Sequence, residues 1–233
     1  MALERVLETE VMDTLEDAVE YDSMDFTDVN TAFAERAIEL APPEGILLDV
    51  GTGTARIPIL IVQRRPALHI WAIDLSENML KVGKKNVQEA GVSQNVKLKK
   101  VDAKTLPYPE NHFDMVVSNS IVHHLPDPIP FLKEVNRVTK PSGGICIRDL
   151  FRPPDMKTLE DLTQKYAGDA TEYQKKLYRD SLHASFTLDE VRELIEKAGL
   201  EGVVVVQSSD RHWSAERAWK PPGGRCFRLP SSD

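Results

Sequence analysis

The chain has 233 residues with 37 acidic and 29 basic side chains, a formal charge of -8. That length fits one large domain rather than two of full size, and the acidic balance argues against a protein that grips nucleic acid mainly through phosphates. Cys146 and Cys226 alone cannot build a disulfide framework or zinc cluster. The acidic start and the lack of any apolar run near ~20 residues argue against a signal peptide or membrane span, so a cytoplasmic protein is expected.

Residues 1–43 read as helices. Thr27 or Asp28 is placed to cap a segment with Phe33, Ala37, Ile38 and Ala41 on one face, and Pro42 with Pro43 ends it. Tyr21, Met24 and Phe26 stand among carboxylates just before it. The stretch Gly45 to Leu60 then reads as a buried strand, a glycine turn and a helix from Ala55 to about Arg64. The run Ile46 to Val50 suits a central parallel strand, interrupted near its end by Asp49. At Gly51 and Gly53 a missing Cβ lets the backbone turn tightly and a ligand come close. The turn reads G-x-G-x-x-R, without the third glycine of the dinucleotide fingerprint.

The second strand, residues 67–74, ends in Asp74, a carboxylate placed to accept hydrogen bonds from vicinal ribose hydroxyls. That role says adenosine without choosing the cofactor. Ser76 is placed to cap the next helix, with Leu75 and Leu80 as its hydrophobic staple. A third strand, residues 95–103, closes on Asp102 and Ala103. Asp49, Asp74 and Asp102 thus fall at three successive strand ends, where like charges crowd unless a ligand bearing a cation and several donors offsets them.

A fourth strand, Phe113 to Asn119, leads into SIVHHLPDP and then FLKEVNRVTKPSGGICIRDL. Together with D-x-G-x-G-x-A from Asp49 to Ala55, this order of motifs resembles the type 11 and UbiE-like branch of the class I S-adenosylmethionine-dependent methyltransferases. The resemblance runs from about Gly45 to Leu150. It implies an α/β fold: a Rossmann-like, mostly parallel seven-stranded sheet with helices on both faces and an antiparallel final strand. It also implies a helical lid over residues 1–43, a methyltransferase domain over 44–219 with a cap at about 151–186, and S-adenosylmethionine as cofactor with S-adenosylhomocysteine as product. In that family Gly51 and Gly53 would admit the methionyl part, with Asp49 ordering the loop. Asp74 would take the ribose, Leu75 and Met79 flank the adenine, Asp102 and Ala103 read its edge, and Asn119 offer a carbonyl to the ammonium. The acceptor would be a small molecule, with Tyr21 and Arg152 as candidate contacts, and no nucleic-acid or membrane partner is expected.

His123 and His124 are adjacent, and neighbouring side chains are expected to diverge; no H-E-x-x-H partner exists, so no metal site is expected. His123 is expected to pack under the sheet edge, and His124 to face the pocket as a general base. The fifth strand, Gly143 to Leu150, precedes two helical patterns over 151–186. Arg152 is placed to meet a substrate carboxylate or, more simply, Asp149. Thr187 and Glu190 form a capping box with Phe186 and Val191 as its staple, and Gly199 stops that helix. Residues 202–207 and 209–219 read as a closing antiparallel pair, and the segment from Lys220 on as a disordered tail. Two other classes share these features: an NAD(P)-dependent oxidoreductase, and a non-catalytic module that binds the same cofactor.

Overall fold

The computed structural model describes residues 3–8 and 14–221. Seven strands make one sheet: β1 (Gly45–Val50), β2 (Leu68–Asp74), β3 (Val96–Lys100), β4 (Phe113–Asn119), β5 (Thr139–Leu150), β6 (Val204–Gln207) and β7 (His212–Arg217). Their order is β3-β2-β1-β4-β5-β7-β6. The first five in that order run parallel, and β7 is antiparallel to both β5 and β6. This is the mostly parallel α/β sheet that the order of motifs implied. The chain leaves β1 in one direction to β2 and returns on its other side as β4, so a crevice opens beyond the carboxyl ends of β1 and β4, where open α/β sheets bind ligands.

Alternation along each central strand feeds two cores. Leu48, Val50, Val116, Ile145 and Ile147 face α5 (Ile129–Val138) and α8 (Leu188–Lys197), which add Phe131, Leu132, Val135, Val191 and Ile195. Leu47, Ile70, Met115, Val117 and Cys146 face α2 (Thr27–Leu40) and α3 (Arg56–Arg64), which add Phe33, Ala37, Ile61 and Val62. Helix α4 (Glu77–Glu89) joins the second layer through Val87. Cover on both faces is why the strands read as near-continuous apolar runs.

Several local expectations need correction. Helix α2 begins at Thr27, but Phe26 holds the cap position, and the Thr27 N–H is met by Asp25 Oδ1 (3.0 Å) rather than by a cap from Thr27 or Asp28. The preface is not wholly helical: residues 3–8 run extended, with Val6 N–H on His183 O (3.2 Å), before α1 (Leu15–Ser23) starts in a capping box from Thr14 and Asp17. Strand β5 starts at Thr139 rather than Gly143, because Thr139 already pairs with Phe113 and the chain bulges through residues 140–143 before Gly144 pairs with Met115. The stretch after β5 forms α6 (Met156–Ala167) and α7 (Glu172–Ala184), closed at its base by a bridge between Phe151 and Phe186. Among the described residues no helix is long and apolar enough to cross a membrane. Lys220 N–H still donates to Ser142 O (2.9 Å); the remainder of the expected tail, 222–233 with Cys226, lies outside the described residues.

Candidate active site

The turn after β1 alternates into the left-handed region at Gly51 (φ 74°), Gly53 (φ 55°) and Ala55 (φ 62°). It folds over the end of β2: Gly51 N–H and Thr52 N–H both donate to Ile73 O (2.9 Å each), and Gly53 N–H donates to Asp74 Oδ2 (2.8 Å). Asp74 Oδ1 accepts from Ser76 N–H (2.9 Å) and Ser76 Oγ from Met79 N–H (3.3 Å), so one carboxylate fixes the glycine turn and the start of α4 together. The two glycines differ in their surroundings. A Cβ on Gly51 would stand 2.1 Å from Ile121 Cγ2, whereas one on Gly53 would meet only Tyr21 Cε1 at 3.9 Å, leaving open space over the turn.

Asp49 lies at the floor, buried, with Oδ2 lacking any hydrogen-bond partner. Burial pushes its carboxyl up to about 7, and the charge of Asp74 adds to the rise. Burial also raises Asp74, against the pull of the Ser76 and Gly53 N–H groups. Above the turn, Tyr21 packs against Phe26 with the rings tilted at 38° (5.2 Å between centroids), and burial followed by the Asp74 charge raises its hydroxyl. Helix α1 is tied down by Asp22, which takes Arg56 (2.6 Å) and Asn86 Nδ2 (2.9 Å), while Asn86 also reaches Thr54 O. Leu75, 59% exposed, stands at the surface beside buried Met79; with that exposure it is no buried staple.

The other expected residues divide. Asp102 lies past the end of β3, its Oδ1 accepting from Lys104 N–H (2.9 Å) and paired with Lys104 Nζ (3.0 Å), with Ala103 in the same turn. Asn119 is at the end of β4, but its side-chain carbonyl is already taken by Arg148 Nε (2.8 Å), which leaves the main-chain carbonyl for any ammonium. Arg152, 7% exposed, bonds neither Asp149 nor open pocket: its guanidinium goes to Glu190 (2.7 Å) and Ser185 O (3.0 Å), locking the cap to the α8 capping box. His123 is buried as expected, Nδ1 donating to Asp149 Oδ1 (2.6 Å). His124, 54% exposed, has its Nδ1 on Glu8, while its charge also reaches Asp74. The two imidazoles do not diverge either. A 3₁₀ turn over Val122–His124 sets their centroids 4.0 Å apart, and Glu8 joins them with donor atoms that all lie within 4.8 Å of one another.

Sequence reasoning missed a second hollow. A cleft of about 540 Å³ opens between α2 and the β5-β7-β6 edge, lined by Phe33, Arg36, Arg148, Tyr166, Arg211 and His212. Arg148 lies over the Phe33 ring (4.7 Å) and Arg211 over Tyr166 (3.6 Å). Neither guanidinium has a salt-bridge carboxylate among the described residues. Burial, then Arg211, lowers Arg148 to about 10; burial, then both arginines, lowers His212 to about 3. Only assembled pairing of β5 with β7 brings Arg148 and His212 together, so no spacing in the sequence announces it.

Comparison with known proteins bears directly on this geometry. A family profile described as a methyltransferase domain matches residues 43–217, which holds the whole sheet and the glycine turn. The chain belongs to that methyltransferase family. A demethylmenaquinone methyltransferase of Listeria welshimeri is 40% identical over 108 residues, 46% of this chain and 45% of the relative. The chain therefore matches less than half the length of that relative. Among solved structures, one put forward as an S-adenosyl-L-methionine-dependent methyltransferase from Methanococcus maripaludis superposes with a TM-score of 0.72, 16% identity and coverage of 93% of this chain and 98% of the other. A SAM-dependent methyltransferase from Aquifex aeolicus gives 0.64 at 20% identity, covering 87% and 97%. At these identities the structures speak for the fold.

Proposed function

We propose that this methyltransferase-family protein binds S-adenosylmethionine over the Gly51–Gly53 turn and methylates a small-molecule acceptor in the cytoplasm. The observation that carries the reading is the buried Asp49 carboxyl at the end of β1, whose Oδ2 has no hydrogen-bond partner and which lies within the field of Asp74, together with the open space over Gly53. A cation with hydroxyl donors answers both carboxylates, and a Cβ at Gly53 would intrude where it lies. When bound, the cofactor supplies an activated methyl group on a sulfonium. The chain's own residues then hold and orient: Asp74 keeps lone pairs for ribose hydroxyls beyond its two N–H contacts, Leu75 and Met79 flank the adenine, Asp102 and Ala103 meet its edge, and Tyr21 closes over the turn against water.

The cleft beside Arg148 supports an acceptor bearing a carboxylate or phosphate. The desolvated Arg148 guanidinium, beside Arg211 and without a salt bridge among the described residues, favours an anion, although Asp28 and Glu216 also line the cleft; Arg148 reaches back to Asn119 at the cofactor's edge. One relative is named for demethylmenaquinone, so an uncharged quinol belongs in the substrate panel beside the anionic acceptors.

Calorimetric titration with S-adenosylhomocysteine, with NADH as control, tests the cofactor. Binding is expected for the first and not the second, and Asp74→Ala should weaken it by roughly 10- to 100-fold, the worth of one or two charge-assisted hydrogen bonds. Equal affinity in a folded Asp74→Ala protein would refute the ribose assignment. For the acceptor, Arg211→Met should raise KM for anionic acceptors and leave neutral ones unchanged.

A further inference from the structure

We propose that Glu8, His123 and His124 form a site for one divalent transition-metal ion. The donors come from two segments 116 positions apart, the extended strap of residues 3–8 and the 3₁₀ turn after β4. Donors sharing an ion with bonds of about 2.0–2.2 Å stand roughly 3–3.5 Å apart. Here they lie within 4.8 Å, and His123 Nε2 is 3.8 Å from Glu8 Oε1, beyond hydrogen-bond reach and short of coordination by a small contraction.

Two of the three donors, His123 and Glu8, are aimed from behind, as metal ligands are. Asp149 holds His123 Nδ1 (2.6 Å) and the His123 main-chain N–H (3.0 Å), which turns Nε2 toward Glu8. Ser181 Oγ donates to Glu8 Oε1 (2.6 Å), leaving Oε2 for the His124 side. Arg5, the adjacent cation, spends its guanidinium on the carbonyls of His123 (3.0 Å), Leu125 (2.8 Å) and Ala184 (2.6 Å). Two carboxylates against that one cation leave a net negative charge for a dication. Two imidazoles and one carboxylate suit zinc, cobalt or ferrous iron, and three protein ligands leave a position open. Used to hold an acceptor oxygen, that position rests on the methyltransferase reading; binding of the ion does not.

Chelator-treated full-length protein would be titrated with Zn²⁺ by calorimetry and with Co²⁺ by visible absorption. One ion per chain is expected. Glu8→Gln and His124→Ala, both outside the core, should each weaken binding by roughly 100-fold or more, and His69→Ala, an exposed imidazole on β2, should leave it unchanged. No binding, or binding that survives either substitution, overturns the site. Retained S-adenosylhomocysteine binding in these two variants keeps that outcome separate from the cofactor assignment.

Discussion

Asp49 is where a single residue has the clearest thermodynamic signature. Its carboxyl titrates near 7 in the fold and near about 3.9 in an unfolded chain. Between those values the native protein holds a proton that the unfolded chain has released, so stability falls as pH rises from about 4 to about 7. Asp49→Asn removes that slope. Its urea midpoint, measured against the parent, should gain progressively from pH 5 to about pH 7 and level off above; a constant difference across that range would rule out the raised carboxyl. The two glycines predict a second contrast. Each adopts a left-handed conformation that costs a residue with a Cβ about 1–2 kcal/mol, but only Gly51 also meets Ile121. Gly53→Ala should therefore lose about that amount and Gly51→Ala distinctly more, with Ile121→Ala restoring part of the second loss. Equal losses in denaturant unfolding would contradict the packing at Gly51. These residues were legible in the sequence because glycine and strand-end aspartate carry local chemistry. Ala55, left-handed at φ 62°, was legible only as a departure from the third glycine.

Elements differ in how they are held. Helices α1, α7 and α8 carry capping boxes whose reciprocal bonds lie within four residues, so such starts can be read from sequence, as Thr187 and Glu190 were. The strap of residues 3–8 has no such local signal. It is docked by Arg5, which reaches carbonyls on both the 3₁₀ turn and α7 and lies over the Phe186 ring (3.8 Å). Arg5→Met should release the strap while the domain stays folded. Hydrogen exchange at the Val6 amide, now bonded to His183 O, should speed at least tenfold, with the global unfolding free energy changed by no more than about 1 kcal/mol. Unchanged protection would show that Leu3 and Glu8 hold the strap without Arg5.

At the scale of the whole molecule, the cofactor site belongs to the switch in the sheet. The turn after β1 rests on β2, faces the turn after β4, and is roofed by α1, so a ligand there braces four elements at once. S-adenosylhomocysteine at about 100 times its dissociation constant should add about 2.7 kcal/mol to unfolding by mass action, and Asp74→Ala should cut that gain to about 0.4–1.4 kcal/mol at the same concentration. An undiminished gain in the mutant would place the ligand elsewhere. The cleft beside Arg148, by contrast, joins α2, α6 and the antiparallel edge strands, which are distant in the chain.

What the sequence determined by itself was the succession of strands and the glycine turn with its aspartates, because those follow from apolar runs, strand-end residues and motifs only a few positions long; that the sheet is mostly parallel came from the family resemblance those motifs carry. What only the tertiary structure decided were partners: Arg152 with Glu190 rather than Asp149, Arg148 with Asn119, His123 with Asp149, and Glu8 with the two imidazoles. Side-chain period gives the face a residue occupies, but which distant side chain shares that face depends on strand order, on how the 3₁₀ turn rotates its two histidines, and on where an extended strap comes to rest.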